Sequence, residues 1–199
     1  MSQEKKIIGF FLNSDKSPTA KNFRKCINTS KYQEPSSARF WLNIFNINLN
    51  ETFWKTAYDV TQESRLRELQ WKILHNIYPT HILLFRLGIT DSNKCPYCTN
   101  EIDYIEHFFF KCNKIRKIWN HIEELFELKF GLKVKLNTMD VLLGREKGNL
   151  SSEMYRFLNH LILIGKMCIS KFRYGTPIDI ILMFENEILL RGLYFKDSP

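Results

Sequence analysis

The sequence predicts a mainly α protein, a helical domain with one embedded CCHC zinc finger and at most a short β-hairpin at that finger. Three features point there. Apolar residues recur at three- and four-residue spacing over most of the chain, and short polar or glycine-containing breaks separate the periodic stretches. One cluster of cysteine and histidine occupies the middle.

Taken in order, the breaks fall at residues 14–20, 34–37, 88–94, 144–152 and 174–177. Weaker helical patterns cover 4–12, 36–45 and 51–58. From Leu66, the positions Leu69, Ile73, Leu74 and Ile77 place one stripe on a 3.6-residue turn. Pro79 suits the first position of a second short helix, and Gly88 suits its end. A strongly amphipathic helix follows through Ile115, Ile118, Trp119, Ile122, Leu125 and Phe126, with Asn113 as the expected N-cap. A long apolar helix is expected over 152–172. The last helix has Thr176 as the expected N-cap, Pro177 at its first position and Asp179 completing a variant capping box. No 20- to 50-residue repeat is present, and the expected division is 1–60, 61–128 and 129–199.

The chain has 199 residues, 44% of them hydrophobic, with 29 Lys plus Arg against 21 Asp plus Glu. That length and composition support a packed core without disulfides, and five cysteines do not form a secreted disulfide framework. The apolar runs at 7–12 and 158–169 are too short or too interrupted for a signal-peptide core or a membrane span. An intracellular protein without a membrane partner is expected. The formal charge of +8 is compatible with a polyanionic ligand.

Cys95, Cys98, His107 and Cys112 are spaced C-x2-C-x8-H-x4-C. Three thiolates and one imidazole complete a tetrahedron, which suits one structural Zn²⁺ and leaves no position for an activated water. Such coordination contributes on the order of 10 to 16 kcal/mol of apparent binding energy, comparable to the stability of a whole domain. His121 is the alternative fourth ligand, at a longer spacing from Cys112. Cys26 and Cys168 have no ligand-spaced neighbours, and His75, His81 and His160 are read as structural.

The stretches LRELQWKILHNIYPT, LFRLGI and KCPYCTNEIDYIEHFFFKC, with Trp119 seven residues past Cys112, closely resemble the zinc-binding domain that follows the reverse transcriptase of non-LTR (LINE-type) retrotransposons. The resemblance implies that Cys95, Cys98, His107 and Cys112 are the zinc ligands and that Trp71, Phe109 and Trp119 are packing residues around them. It also implies a place in the carboxyl-terminal part of a polyprotein, contact with element RNA or target DNA during target-primed reverse transcription, and a nuclear or cytoplasmic ribonucleoprotein setting. The polymerase region of the same polyprotein is a further expected partner.

A catalytic role is not expected. The chain has no adjacent pair of aspartates to hold two cations, no Pro-Asp followed by an acidic-x-Lys element, no glycine-rich phosphate loop and no nucleophile elbow. No small-molecule substrate is expected either. For phosphate contact the candidates are Lys111, Lys114, Arg116 and Lys117, four cations within seven residues at the start of a helix. Alternatives are an architectural or interaction module, bracing a polymerase or dimerising through Ile178, Ile181, Leu182, Ile188 and Leu189, or a decayed remnant of an element. The charge is uneven, with a net +6 over residues 1–94, −2 over 95–128 and +4 over 129–199. The finger is the least basic part, so the helical flanks must supply most of any attraction for a polyanion.

Overall fold

A computed structural model describes residues 36–47, 51–175 and 179–193. These residues are mainly helical, as the periodicity predicts. The helices are α1 (Ser36–Phe45), α2 (Glu51–Val60), α3 (Ser64–Leu74), α4 (His81–Arg86), α5 (Arg116–Phe130), α6 (Thr138–Leu143), α7 (Ser152–Tyr174) and α8 (Ile180–Leu190), with a π-helical turn at His107–Lys111. The expected β-hairpin is reduced to one antiparallel bridge, Lys94 with Ile102. The helical pattern at 4–12, Cys26, Thr176, Pro177 and Ile178 lie outside the described residues.

Helix α7 organises the rest. It is 23 residues long, about 34 Å, and begins where the Ser151 hydroxyl accepts a hydrogen bond from the Met154 N–H at 3.1 Å. Residues 161–169 are buried without a break. A helix that buries every side must be surrounded, and α7 packs against α2, α3, α5 and α8. Gly165 permits the close crossing with α5, because a Cβ there would lie 2.9 Å from Ile122 Cδ1 and 3.0 Å from Trp119 Cζ3. No helix of the described residues is long and apolar enough to cross a membrane.

Several side-chain polar groups inside this core are bonded across elements. The Trp41 indole donates to the Leu74 carbonyl and the Trp119 indole to the Phe109 carbonyl, both at 2.8 Å. Lys166 is fully buried and donates to Gln70 Oε1, while the Gln70 amide donates to the Leu142 carbonyl at 2.9 Å. That chain ties α7 to α3 and α6. Helix α6 carries a complete capping box between Asn137 and Asp140 that the hydrophobic pattern did not single out. At the far end of α8, Arg191 clasps Glu63 with two hydrogen bonds of 2.7 Å, fastening α8 to the residue that precedes α3.

Several helix starts differ from the sequence expectation. Pro79 stands two residues before α4, whose N-cap is Thr80. Gly88 does end that helix, at φ +70°. Asn113 does not cap α5, since the chain leaves the finger through a turn at 113–115 and the helix begins after Ile115 with no side-chain cap. Asp179 is itself the N-cap of α8, accepting from the Ile181 N–H at 2.7 Å.

Burial lowers the Lys166 ammonium to about 7. The folded value lies below the unfolded value of about 10.4, so the unfolded chain binds more protons between those limits and stability rises with pH across that window, by up to about 1.4 kcal/mol per unit. Lys166→Met should flatten this rise. Chemical denaturation at pH 7, 8.5 and 10 measures it, and an unchanged slope would rule out the assignment.

Candidate metal centre

The first ligand pair sits on a tight knuckle. Cys95 N–H donates to the Glu101 carbonyl and Thr99 N–H to the Cys95 carbonyl, each at 2.9 Å. The turn requires a left-handed backbone at Thr99, φ +58°, an uncommon conformation for a β-branched residue. In return, backbone N–H groups converge on both sulfurs, from Tyr97 and Cys98 onto Cys95 and from Asn100 and Glu101 onto Cys98. Such donors favour the thiolate form that binds a cation; they hold the Cys98 thiol below its ordinary value, whereas burial outweighs them at Cys95 and pushes its thiol up to about 11.

The second pair depends on the π turn that precedes α5. In an α-helix, residues five apart are rotated by about 140° and cannot serve one ion. The wider turn closes with the Cys112 N–H on the His107 carbonyl at 3.1 Å, a five-residue bond that returns Cys112 above His107. Phe108 and Phe109 fill the core beneath, stacked edgewise on Tyr78.

The four ligand atoms lie within 4.8 Å of one another. Cys95 Sγ is 3.9 Å from Cys112 Sγ, and Cys98 Sγ is 3.3 Å from His107 Nε2. A zinc tetrahedron with metal–sulfur bonds of about 2.3 Å and a metal–nitrogen bond of about 2.0 Å has sulfur–sulfur edges near 3.8 Å and sulfur–nitrogen edges near 3.5 Å. The cluster fits one such ion, and the sulfurs are too far apart for a disulfide. Burial first, and the Arg173 charge second, hold the His107 imidazole below its ordinary value, in the neutral form a metal ligand needs. His121, the alternative ligand, instead lies on α5 against Glu185, 3.3 Å away.

One contributor was not visible in the spacing. Arg173, on the last turn of α7 and buried, donates to Cys95 Sγ and to Asp103 Oδ1, both at 2.7 Å. Its guanidinium lies 4.2 Å from the Phe108 ring centre. Asp103, fully buried, uses its other oxygen to accept the His81 N–H at 3.0 Å. Three thiolates with Zn²⁺ carry a net −1, and the Arg173 cation sits against that excess in a desolvated setting. Asp103 fixes the arginine and α4 together. No periodicity or motif marks Arg173, which stands 61 positions beyond the last ligand.

The four candidate phosphate contacts meet different fates. Lys114 is exposed. Lys111 is also exposed and faces a polar groove shared with Glu101 and Glu106. The Arg116 guanidinium lies over the Phe110 ring at 4.7 Å, and Lys117 is bound to Asp179 at 2.6 Å. Among the aromatics expected to pack, Phe109 and Trp119 are fully buried, whereas Trp71 is 44% exposed. Its position on α3 turns it away from the stripe formed by Leu66, Leu69, Ile73 and Leu74. The apolar face expected of α8 is split, with Ile188 in the core and Leu182 and Leu189 exposed.

Metal analysis of the purified chain should return one zinc, and Cys95→Ser should lower that content; unchanged content would refute the site. Arg173→Met should weaken zinc binding by about 10- to 100-fold in a chelator competition, with Arg173→Lys losing less. Equal affinity in all three proteins would show that the arginine does not support the metal.

No curated protein matches the chain. Residues 36–119, which run from α1 through all four cluster residues to Trp119, match the family described as zinc-binding in reverse transcriptase, an accessory domain that is not itself catalytic.

Proposed function

We propose that the chain is a non-catalytic nucleic-acid-binding module, stabilised by one zinc ion and similar to the carboxyl-terminal part of a LINE-type reverse transcriptase polyprotein. In this reading it holds element RNA or target DNA during target-primed reverse transcription, within an intracellular ribonucleoprotein. The observation that carries it is the junction directly after Cys112. Helix α5 begins there without a side-chain cap, its Arg116 and Ile118 N–H groups turned onto the Asn113 and Ile115 carbonyls, and its positive end emerges beside Lys111, Lys114 and Arg116. The positive end of a helix dipole flanked by cations favours a phosphate. The metal fixes that junction, because Cys112 is both a cluster residue and the hinge into α5.

The competing reading is a brace for a polymerase or for a second copy. It draws on Leu182, Leu189 and Leu190 of α8, which are 53%, 58% and 80% exposed. Nucleic-acid binding measured against salt separates the two. Each phosphate neutralised contributes a slope of about 0.9 in log K against log salt, so replacing Lys111 and Lys114 by Gln should reduce the slope by up to about two. Lys117→Gln should change it less, because Asp179 already occupies that ammonium. Salt-independent affinity, or no binding at 50 mM salt, would refute the nucleic-acid reading in favour of the brace. Primer extension by the chain should be absent.

A further inference from the structure

Helices α2 and α3 form an antiparallel hairpin whose outer face carries aromatic rings at regular intervals. Arg67, Trp71 and His75 stand four residues apart along α3, one stripe about 12 Å long. Trp54 and Tyr58 form the facing pair on α2. The Trp71 and His75 ring centres are 4.4 Å apart, His75 and Trp54 are 5.1 Å apart, and the Arg67 guanidinium lies 4.9 Å from the Tyr58 ring. Trp71 is 44% and Tyr58 51% exposed, although the chain has fully buried other tryptophans, Trp41 and Trp119. Exposed aromatic surface grouped in this way is unusual on a packed helical face.

The charge on this face narrows the ligand. Arg67 donates to the Thr61 carbonyl at 2.7 Å, the Tyr58 carbonyl at 3.2 Å and Gln62 Oε1 at 2.8 Å. All three acceptors are neutral, so the guanidinium is held in place while its charge stays uncompensated. The nearest acid on the same helix, Glu68, is taken by Lys72 at 2.7 Å. Asp59 is turned about 100° around α2 from Tyr58. An apolar protein surface docking here would have to desolvate a fixed cation, whereas a polyanion with flat rings satisfies both halves of the face.

We propose that the α2–α3 face is a stacking platform for single-stranded nucleic acid, with bases on Trp71, His75 and Tyr58 and the backbone drawn by Arg67. The stripe accommodates about three or four bases at about 3.4 Å each. Stacking is tolerant of sequence because every base has a π face, and it selects single strands because a duplex keeps its faces covered. The proposal rests on the nucleic-acid-binding function above but uses a different surface, placed on α2 and α3 rather than at the start of α5.

The test is binding of labelled ten-nucleotide oligo(U) and oligo(dT) to the whole zinc-loaded chain. Trp71→Ala should weaken binding by about tenfold or more with the salt slope unchanged. Trp71→Phe, which keeps a ring, should retain most of the affinity while reducing the tryptophan quenching seen on oligonucleotide addition, with Trp54 as the remaining source, since Trp41 and Trp119 are buried. Tyr58→Ala provides a second variant at an exposed position, and thermal melts check that each protein is folded. If the wild-type chain binds and Trp71→Ala and Tyr58→Ala bind equally well, the platform is refuted while the function stands. If the Lys111 and Lys114 variant loses salt slope but keeps quenching, the two surfaces are separate, as proposed. No binding by the wild-type chain would overturn both readings.

Discussion

The buried contact of Arg173 with Cys95 and Asp103 joins the two halves of the described structure. The knuckle and α4 are short and bury little apolar surface; α4 has no buried residue. They acquire a fixed position because one guanidinium at the end of α7 reaches a cluster sulfur and a carboxylate at once. A buried cation of this kind is costly unless its partners are charged and well aligned. Asp103 and an electron-rich thiolate meet that requirement, and the Phe108 and Tyr97 rings cover the guanidinium faces. The candidate metal centre and the helical core are therefore joined through one buried contact.

This coupling shapes how function can be distributed. The centre has four protein ligands and no open coordination position, so its contribution is geometric. It fixes the direction in which the chain leaves Cys112 and hence where the uncapped start of α5 points. The α2–α3 hairpin is set separately, by packing on α7 and by the clasp between Arg191 and Glu63. Two surfaces of different chemistry, one carrying a helix start and lysines and the other carrying rings and a fixed guanidinium, are thus presented by one frame.

Buried ionisable groups show the limits of composition as a guide. A net charge of +8 suggests a uniformly basic surface, yet Lys166 and Arg173 lie inside and Lys117, Lys135, Lys171 and Arg191 are held by carboxylates. The cations left for a ligand are a smaller set than the sequence counts. Lys114 and Arg67 matter because their neighbours leave them uncompensated.

The sequence by itself determined the helical class, the presence of α3 and α5, the extent of α7, and the identity of the four cluster residues. Those features are local, since periodicity within a helix and ligand spacing within 18 residues are both written in adjacent positions. Tertiary structure decided the rest. Trp119 is buried because it lies in the stripe of α5 that faces the core, whereas Trp71 lies off the buried stripe of α3 and stays exposed. The π turn that lets His107 and Cys112 share an ion is a backbone adjustment imposed by packing Phe108 and Phe109 beneath it. Asp179 replaces Thr176 as the cap of α8 because the helix starts later than its sequence signals suggest. Arg173 is decided furthest from the sequence, because a contact between residues 78 positions apart exists only when α7 has docked.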